Sequence, residues 1–214
     1  MTKKLSGLYV ITNEELMPEA LFLDMARAAI KAGASVLQYR DKTSDKSKRL
    51  FQAENLKKLC DKHHVVFIIN DDIDLAKQVD ADGIHIGKDD LSIKEARDQI
   101  GPNKIIGVSC YNQTSLATEA INHGADYIAF GSFFGSSIKP EAPKASIELI
   151  SSIKLRHDIP VCCIGGITLN NLTQLIEAGA DMLAVISDVF SQADNEKIAE
   201  RCIKYKKAFN ANDS

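Results

Sequence analysis

The chain has 214 residues, 45% hydrophobic and 26% charged, and its 26 Lys and Arg against 29 Asp and Glu leave a formal net charge of −3. This suits a single globular domain over 1–214 and carries no basic excess that would advertise nucleic acid. The five cysteines (Cys60, Cys110, Cys162, Cys163, Cys202) are odd in number and lack CxxC spacing, so reduced thiols in the cytoplasm are expected rather than a disulfide scaffold.

The N-terminal apolar run, Leu5 to Ile11, is too short for a signal-peptide core, and no run approaches the roughly 18 residues of a membrane helix. From there short β-rich runs alternate with longer stretches of helical period. The strand candidates are Gly7–Thr12, Ser35–Arg40, Val65–Ile69, Gly83–Ile86, Lys104–Ser109, Tyr127–Gly131, Pro160–Gly165 and Met182–Ser187. Their continuously apolar character, as in Val65 to Ile69, fits parallel strands covered on both faces. The helices between them are amphipathic; the last presents Ile198, Cys202, Tyr205 and Phe209 on one face, with Lys204, Lys206 and Lys207 on the wet side. An internal echo, with Gly33, Gly124 and Gly179 each closing a helix and leading into a strand, supports counting eight βα units. Eight units in about 200 residues predict an α/β fold of the (β/α)8 TIM-barrel class. The rival is an open doubly wound sheet, against which no GxGxxG follows the first strand.

In such a barrel the chemistry lies at the C-terminal ends of the strands. Strand two delivers Gln38, Arg40 and Lys42 to one face and turns Tyr39 and Asp41 to the other, an arrangement suited to clamping a diphosphate. Strand three ends in Asn70-Asp71-Asp72 and strand four in Gly87-Lys88-Asp89-Asp90, so neighbouring strand ends carry the hard carboxylate oxygens that Mg²⁺ takes together with substrate phosphates. Helix capping competes for these residues, although Ser92 with Glu95 already reads as the capping box beyond Asp90. Strand five ends at Ser109, and strand six runs into a Gly- and Ser-rich loop ending at Lys139. Gly165 and Gly166 after strand seven, with Ile186 and Ser187 after strand eight, occupy the place where such barrels bind phosphate. The glycines could equally make a tight turn before Thr168, a good N-cap. His85 reads as a satisfied interior polar group, and His63-His64 as the end of a helix.

Taken together, Gln38-Tyr39-Arg40-Asp41-Lys42, Ile69-Asn70-Asp71-Asp72, the run Asp82 to Asp90, Gly107-Val108-Ser109 and Ile164-Gly165-Gly166-Ile167 resemble the thiamine-phosphate synthase family, over nearly the whole chain. The resemblance implies a transferase that joins hydroxymethylpyrimidine diphosphate to hydroxyethylthiazole phosphate. It assigns the pyrimidine diphosphate to the stretch Gln38, Tyr39, Arg40, Asp41 and Lys42 with Asn70, Ser109 and Lys139. Mg²⁺ falls to Asp71 and Asp90, and the thiazole phosphate to Ser136, Ser137, Ile138, Gly166, Ile186 and Ser187; Arg40, Lys42 and Lys139 carry the catalytic charge. One departure stands out: Ile138 occupies the place of the family's common threonine, and the neighbouring serines are expected to substitute. Partners are expected to be small molecules, with neither nucleic acid nor membrane, and a homo-oligomeric state stays open. Two other readings share the phosphate site, a thiazole tautomerase-like barrel, which should not require the Asp71 and Asp90 pair, and a non-catalytic binder of phosphorylated metabolites.

Overall fold

The computed structural model describes residues 4–88, 90–135 and 144–212. Eight parallel strands, β1 (Gly7–Ile11), β2 (Ala34–Tyr39), β3 (Val66–Asn70), β4 (Gly83–Ile86), β5 (Ile105–Tyr111), β6 (Tyr127–Gly131), β7 (Val161–Ile164) and β8 (Met182–Val185), close into a barrel in sequence order, β8 pairing with β1. The helices are α1 (Phe22–Lys31), α2 (Lys46–His63), α3 (Ile73–Gln78), α4 (Ile93–Ile100), α5 (Thr114–Asn122), α6 (Glu148–Lys154), α7 (Thr173–Glu177), α8 (Ser187–Phe190) and α9 (Asn195–Asn212). Closure excludes the open doubly wound sheet. No described helix is long and apolar enough to cross a membrane.

Period-two alternation divides the strands between two cores. Outward residues such as Leu37, Phe67, Ile128 and Leu183 join the helices in the larger core, while Tyr9, Val36, Ile68, Tyr127, Cys162 and Met182 fill the barrel interior. All five cysteines are buried and none forms a disulfide, so they behave as small apolar groups; burial pushes the Cys110 and Cys202 thiols up to about 12. The last helix buries Ile198, Cys202 and Tyr205 and exposes Lys204, Lys206 and Lys207, as its period requires.

Two units of the internal echo, those of Gly124 and Gly179, share a further feature with the start of β4. Asp82, Asp126 and Asp181 each stand one residue before an even-numbered strand, and their carboxylates accept the backbone N–H of Phe67, Ile106 and Val161 at 2.7, 2.8 and 2.7 Å. Each aspartate thus ties the start of its own strand to the preceding strand, at the end of the barrel opposite the active face. Helix starts follow local chemistry: Asp45 caps α2, Asp72 caps α3, and Ser92 with Glu95 forms the capping box of α4. Most strand ends shift by one or two residues from the sequence reading, and two differences have a local cause. Strand eight stops at Val185 because Ser187 opens α8, and Thr168 is not a helix cap: Leu172 precedes α7, while Thr168 and Asn171 bond within the connecting turn.

One register row shapes the interior. His85 pairs with Gly107, and Gly107 with Tyr127, so a glycine stands between two ring-bearing residues on adjacent strands. A Cβ on Gly107 would lie 1.9 Å from the Tyr127 ring, which therefore occupies the volume a side chain would need. Gly107→Ala should accordingly cost about 1–3 kcal/mol by overpacking, seen in urea titration as a lower midpoint with an unchanged slope. Wild-type stability in that variant would mean that the ring is not fixed in this position.

Candidate active site

At the C-terminal ends of the strands a pocket opens, lined by inward-facing residues and by the turns that follow them, including Gln38, Arg40, Asn70, His85, Ser109, Gly166, Ile186 and Ser187. Strand β2 supplies its first wall. Gln38 is buried and donates from Nε2 to the Tyr9 hydroxyl at 2.7 Å. Arg40 lies just past the strand end, where the Thr12 hydroxyl pins its backbone, donating to the Arg40 carbonyl at 3.1 Å and accepting from its N–H at 2.9 Å. The guanidinium lines the pocket and has no ion pair among the described residues. Lys42, half exposed at the rim, pairs with Asp71.

Tyr39 and Asp41, implied as substrate-binding by the resemblance, do not line the pocket. Alternation along β2 sends them into the helix layer. The Tyr39 hydroxyl donates to Gln52 Oε1 at 2.9 Å and its ring meets Phe22 edge-on. Asp41 pairs with Lys48 at 2.8 Å and accepts the Thr43 N–H at 2.7 Å. Both anchor the start of α2 behind the pocket wall.

The acidic rim separates into three roles. Asp72 is consumed by structure, since it caps Leu75 N–H at 2.9 Å and pairs with Arg49 at 2.5 Å. Asp71, at φ 52, is held in the left-handed region, its N–H donating to the His85 carbonyl at 2.9 Å. Its Oδ2 accepts from Asn70 Nδ2 at 2.7 Å and from Lys42. Asp90 accepts the Gly87 N–H at 2.6 Å and caps no helix. Asp71 and Asp90 therefore stand on the turns of adjacent strands as hard-oxygen donors without a capping duty, a donor set suited to Mg²⁺. Asp89 lies outside the described residues.

On the opposite side, Gly166 sits at φ 64, and a Cβ there would fall 1.8 Å from the Phe134 carbonyl oxygen. Only glycine lets the segment after β6 lie across this turn. Ser187 opens α8, which α9 holds from behind: Asp188 accepts from the Tyr205 hydroxyl at 2.7 Å and pairs with Arg201 at 3.0 Å. Tyr205 is thus more than part of an apolar stripe. Ser136, Ser137, Ile138 and Lys139 lie outside the described residues.

The pocket and the barrel interior beneath it also hold groups that the sequence reading passed over. Tyr9 and Tyr127 are fully buried in the interior, and burial pushes both phenols upward, so both keep their protons. Tyr111, past a register shift in β5, and Ser132 line the mouth. A tyrosine inside an apolar strand was the available signal, because its buried hydroxyl has to find a partner. His85 is satisfied, as expected, yet it lines the pocket: Nδ1 lies 2.9 Å from the Tyr127 hydroxyl and Nε2 lies 2.8 Å from Ser109 Oγ.

Comparison with known proteins converges on one family. Residues 8–189 match the family model described as thiamine monophosphate synthase. The thiamine-phosphate synthase of Alcanivorax borkumensis is 46% identical over 211 residues, covering 99% of this chain and 97% of that protein. That of Acidithiobacillus ferrooxidans is 47% identical over 200 residues, 92% of each chain. Among solved structures, a thiamine phosphate pyrophosphorylase from Pyrococcus furiosus superposes with a TM-score of 0.88 at 32% identity and 99% coverage of both chains.

The Asp41 environment generates a pH prediction. Burial alone would raise its pKa, but hydrogen bonds from Lys48 and Thr43 outweigh burial and hold the carboxyl below its ordinary value. A depressed folded-state pKa contributes stability that is present above the unfolded value and lost as pH falls through the folded one. Asp41→Asn should therefore lower stability near neutral pH and flatten the loss of stability below about pH 4. Thermal melts of both proteins between neutral and acid pH check this; parallel profiles would show that Asp41 is not held this way.

Proposed function

Because the chain belongs to the thiamine monophosphate synthase family, we infer that this pocket is where hydroxymethylpyrimidine diphosphate and hydroxyethylthiazole phosphate are joined to give thiamine phosphate and diphosphate. The protein is a transferase of thiamine biosynthesis acting on small molecules. The observation that carries this reading is likeness to the synthases along essentially the full chain. Incubating the purified protein with both substrates and Mg²⁺ should yield thiamine phosphate and diphosphate in equal amounts. Turnover of neither substrate would remove the reading.

In the proposed reaction the bond between the pyrimidine methylene carbon and the diphosphate oxygen breaks first, its electron pair leaving with diphosphate. The carbocation that remains is delocalised into the aminopyrimidine. The thiazole nitrogen lone pair then forms the new C–N bond, so no proton has to be removed from the nucleophile, and no Ser/His/Asp triad is required. The chemical demand is stabilisation of the leaving group and alignment of the nucleophile.

Arg40 and Lys42, with Lys139 from outside the described residues, place about three positive charges against a diphosphate of about −3. The Arg40 guanidinium, without an ion pair among the described residues, suits bidentate capture of phosphate oxygens, and its Thr12-pinned backbone preorganises it. Lys42 waits on Asp71 and can exchange that carboxylate for phosphate at little cost, since both partners stand at the rim. Asn70 and Ser109 add polar contacts. The Gly166 turn, Ile186 and Ser187 receive the thiazole phosphate, to which the resemblance also assigns Ser136, Ser137 and Ile138, outside the described residues.

Asp71 and Asp90 would hold Mg²⁺, which when bound neutralises leaving-group charge. This reading places the reaction in the cytoplasm, in keeping with five reduced, buried thiols.

Two outcomes follow. Arg40→Ala should lower kcat/KM about 10²–10³-fold, the scale for losing one preorganised donor to developing negative charge; a loss under fivefold in steady-state assays would assign the diphosphate to other residues. EDTA should abolish turnover and Mg²⁺ restore it, while Asp71→Ala/Asp90→Ala should stay inactive at saturating Mg²⁺. Full activity of the double variant in metal-free buffer would end the metal assignment.

A further inference from the structure

Beneath the pocket a chain of hydrogen bonds crosses the barrel interior from β2 to β5. Gln38 Nε2 donates to Tyr9 Oη at 2.7 Å, Tyr9 Oη lies 2.9 Å from Tyr127 Oη, Tyr127 Oη lies 2.9 Å from His85 Nδ1, and His85 Nε2 lies 2.8 Å from Ser109 Oγ. The two phenols are fully buried, and the His85 and Tyr127 rings stack at 5.6 Å over the space that Gly107 leaves empty.

The direction of this chain is set at one end. An amide nitrogen only donates, so Tyr9 accepts from Gln38 and turns its own proton to Tyr127. Tyr127 in turn donates to His85 Nδ1, which leaves the imidazole proton on Nε2, aimed at Ser109 Oγ. Ser109 accepts there and keeps its hydroxyl hydrogen for another partner. Both ends line the pocket: Gln38 gives one Nε2 hydrogen to Tyr9 and keeps its carbonyl oxygen as an acceptor, and Ser109 keeps its hydroxyl hydrogen as a donor. Neither end can reverse alone: a flipped Gln38 amide would reverse both hydroxyls, move the imidazole proton to Nδ1 and turn Ser109 into an acceptor.

We propose that Tyr9, Tyr127 and His85 are positioning residues that fix the polarity of the pyrimidine subsite, so that it accepts a heterocycle bearing an amino group and rejects the oxo isostere. This rests on the synthase reading of the pocket. An aminopyrimidine offers N–H donors from its amine and an unprotonated ring nitrogen as acceptor, complementary to Gln38 and Ser109. The oxo form presents a carbonyl and a ring N–H, the opposite pattern at nearly the same shape. Apolar shape complementarity cannot separate two such isosteres, whereas groups of fixed polarity can.

The test compares binding of the aminopyrimidine methyl monophosphate and its oxopyrimidine isostere by calorimetry, in wild type, Tyr127→Phe and Tyr9→Phe. Both substitutions keep the ring and remove one link. Wild type should favour the amino compound by about a hundredfold or more. Each variant should shrink that ratio at least tenfold, weakening the amino compound and strengthening the oxo compound. A purely structural defect would weaken both ligands alike and leave the ratio within twofold of wild type, which would overturn the proposal, as would a wild-type preference for the oxo compound. Formation of thiamine phosphate by the same wild-type preparation tests the underlying reading separately: product together with an unchanged ratio sinks the relay alone, whereas no product from the two substrates sinks the synthase reading first.

Discussion

Closing eight parallel strands around a narrow interior forces every second strand residue into a space with little solvent, and the active face is built on that constraint. Most inward positions are met with Val, Ile, Ala, Met or Cys. Where the function calls for polar groups at the mouth, those beneath them have to satisfy one another, because a buried polar atom without a partner costs about 1–3 kcal/mol. Gly107 is the concession that makes this work. Its missing side chain lets Tyr127 reach across to His85, and from there polar contact continues to Ser109 on one side and through Tyr9 to Gln38 on the other.

The rim obeys a different rule, because solvent is present. Here the ends of β2, β3 and β4 carry charge, and much of it is paired: Lys42 with Asp71, Arg49 with Asp72, Lys48 with Asp41. The pairs are not equivalent. Asp41 and Asp72 accept additional backbone bonds, from Thr43 in the turn before α2 and from Leu75 in α3, whereas Lys42 and Asp71 meet at the rim. Arg40, a cation that lines the pocket, is left without an ion pair among the described residues, its backbone fixed by Thr12. That division lets the site be both preorganised and responsive.

The Gly166 and Ser187 side of the pocket is supported from behind. The Gly166 turn is packed beneath the segment after β6, and α8 is braced by Asp188, Tyr205 and Arg201 from α9. The terminal helix thereby reaches the site through two layers, although its sequence advertises only an amphipathic face.

Local rules already decided much of this protein. Period-two alternation identified Gln38 and Arg40 as pocket-facing and turned Tyr39 and Asp41 away, in conflict with treating the whole stretch from Gln38 to Lys42 as substrate-binding, and the structure sides with the alternation. Capping chemistry fixed Ser92, and the spacing of strands and helices gave the eight units, since backbone geometry and neighbouring side chains determine these things within a few residues. Only the tertiary structure decided that Asp72 caps a helix while Asp71 pairs with Lys42 at the rim, and that the satisfied His85 also lines the pocket. It alone joins Tyr9 to Tyr127, 118 positions apart in the chain. Such contacts depend on strand register and on which side chains share the enclosed space, and no local pattern specifies either until the barrel is closed.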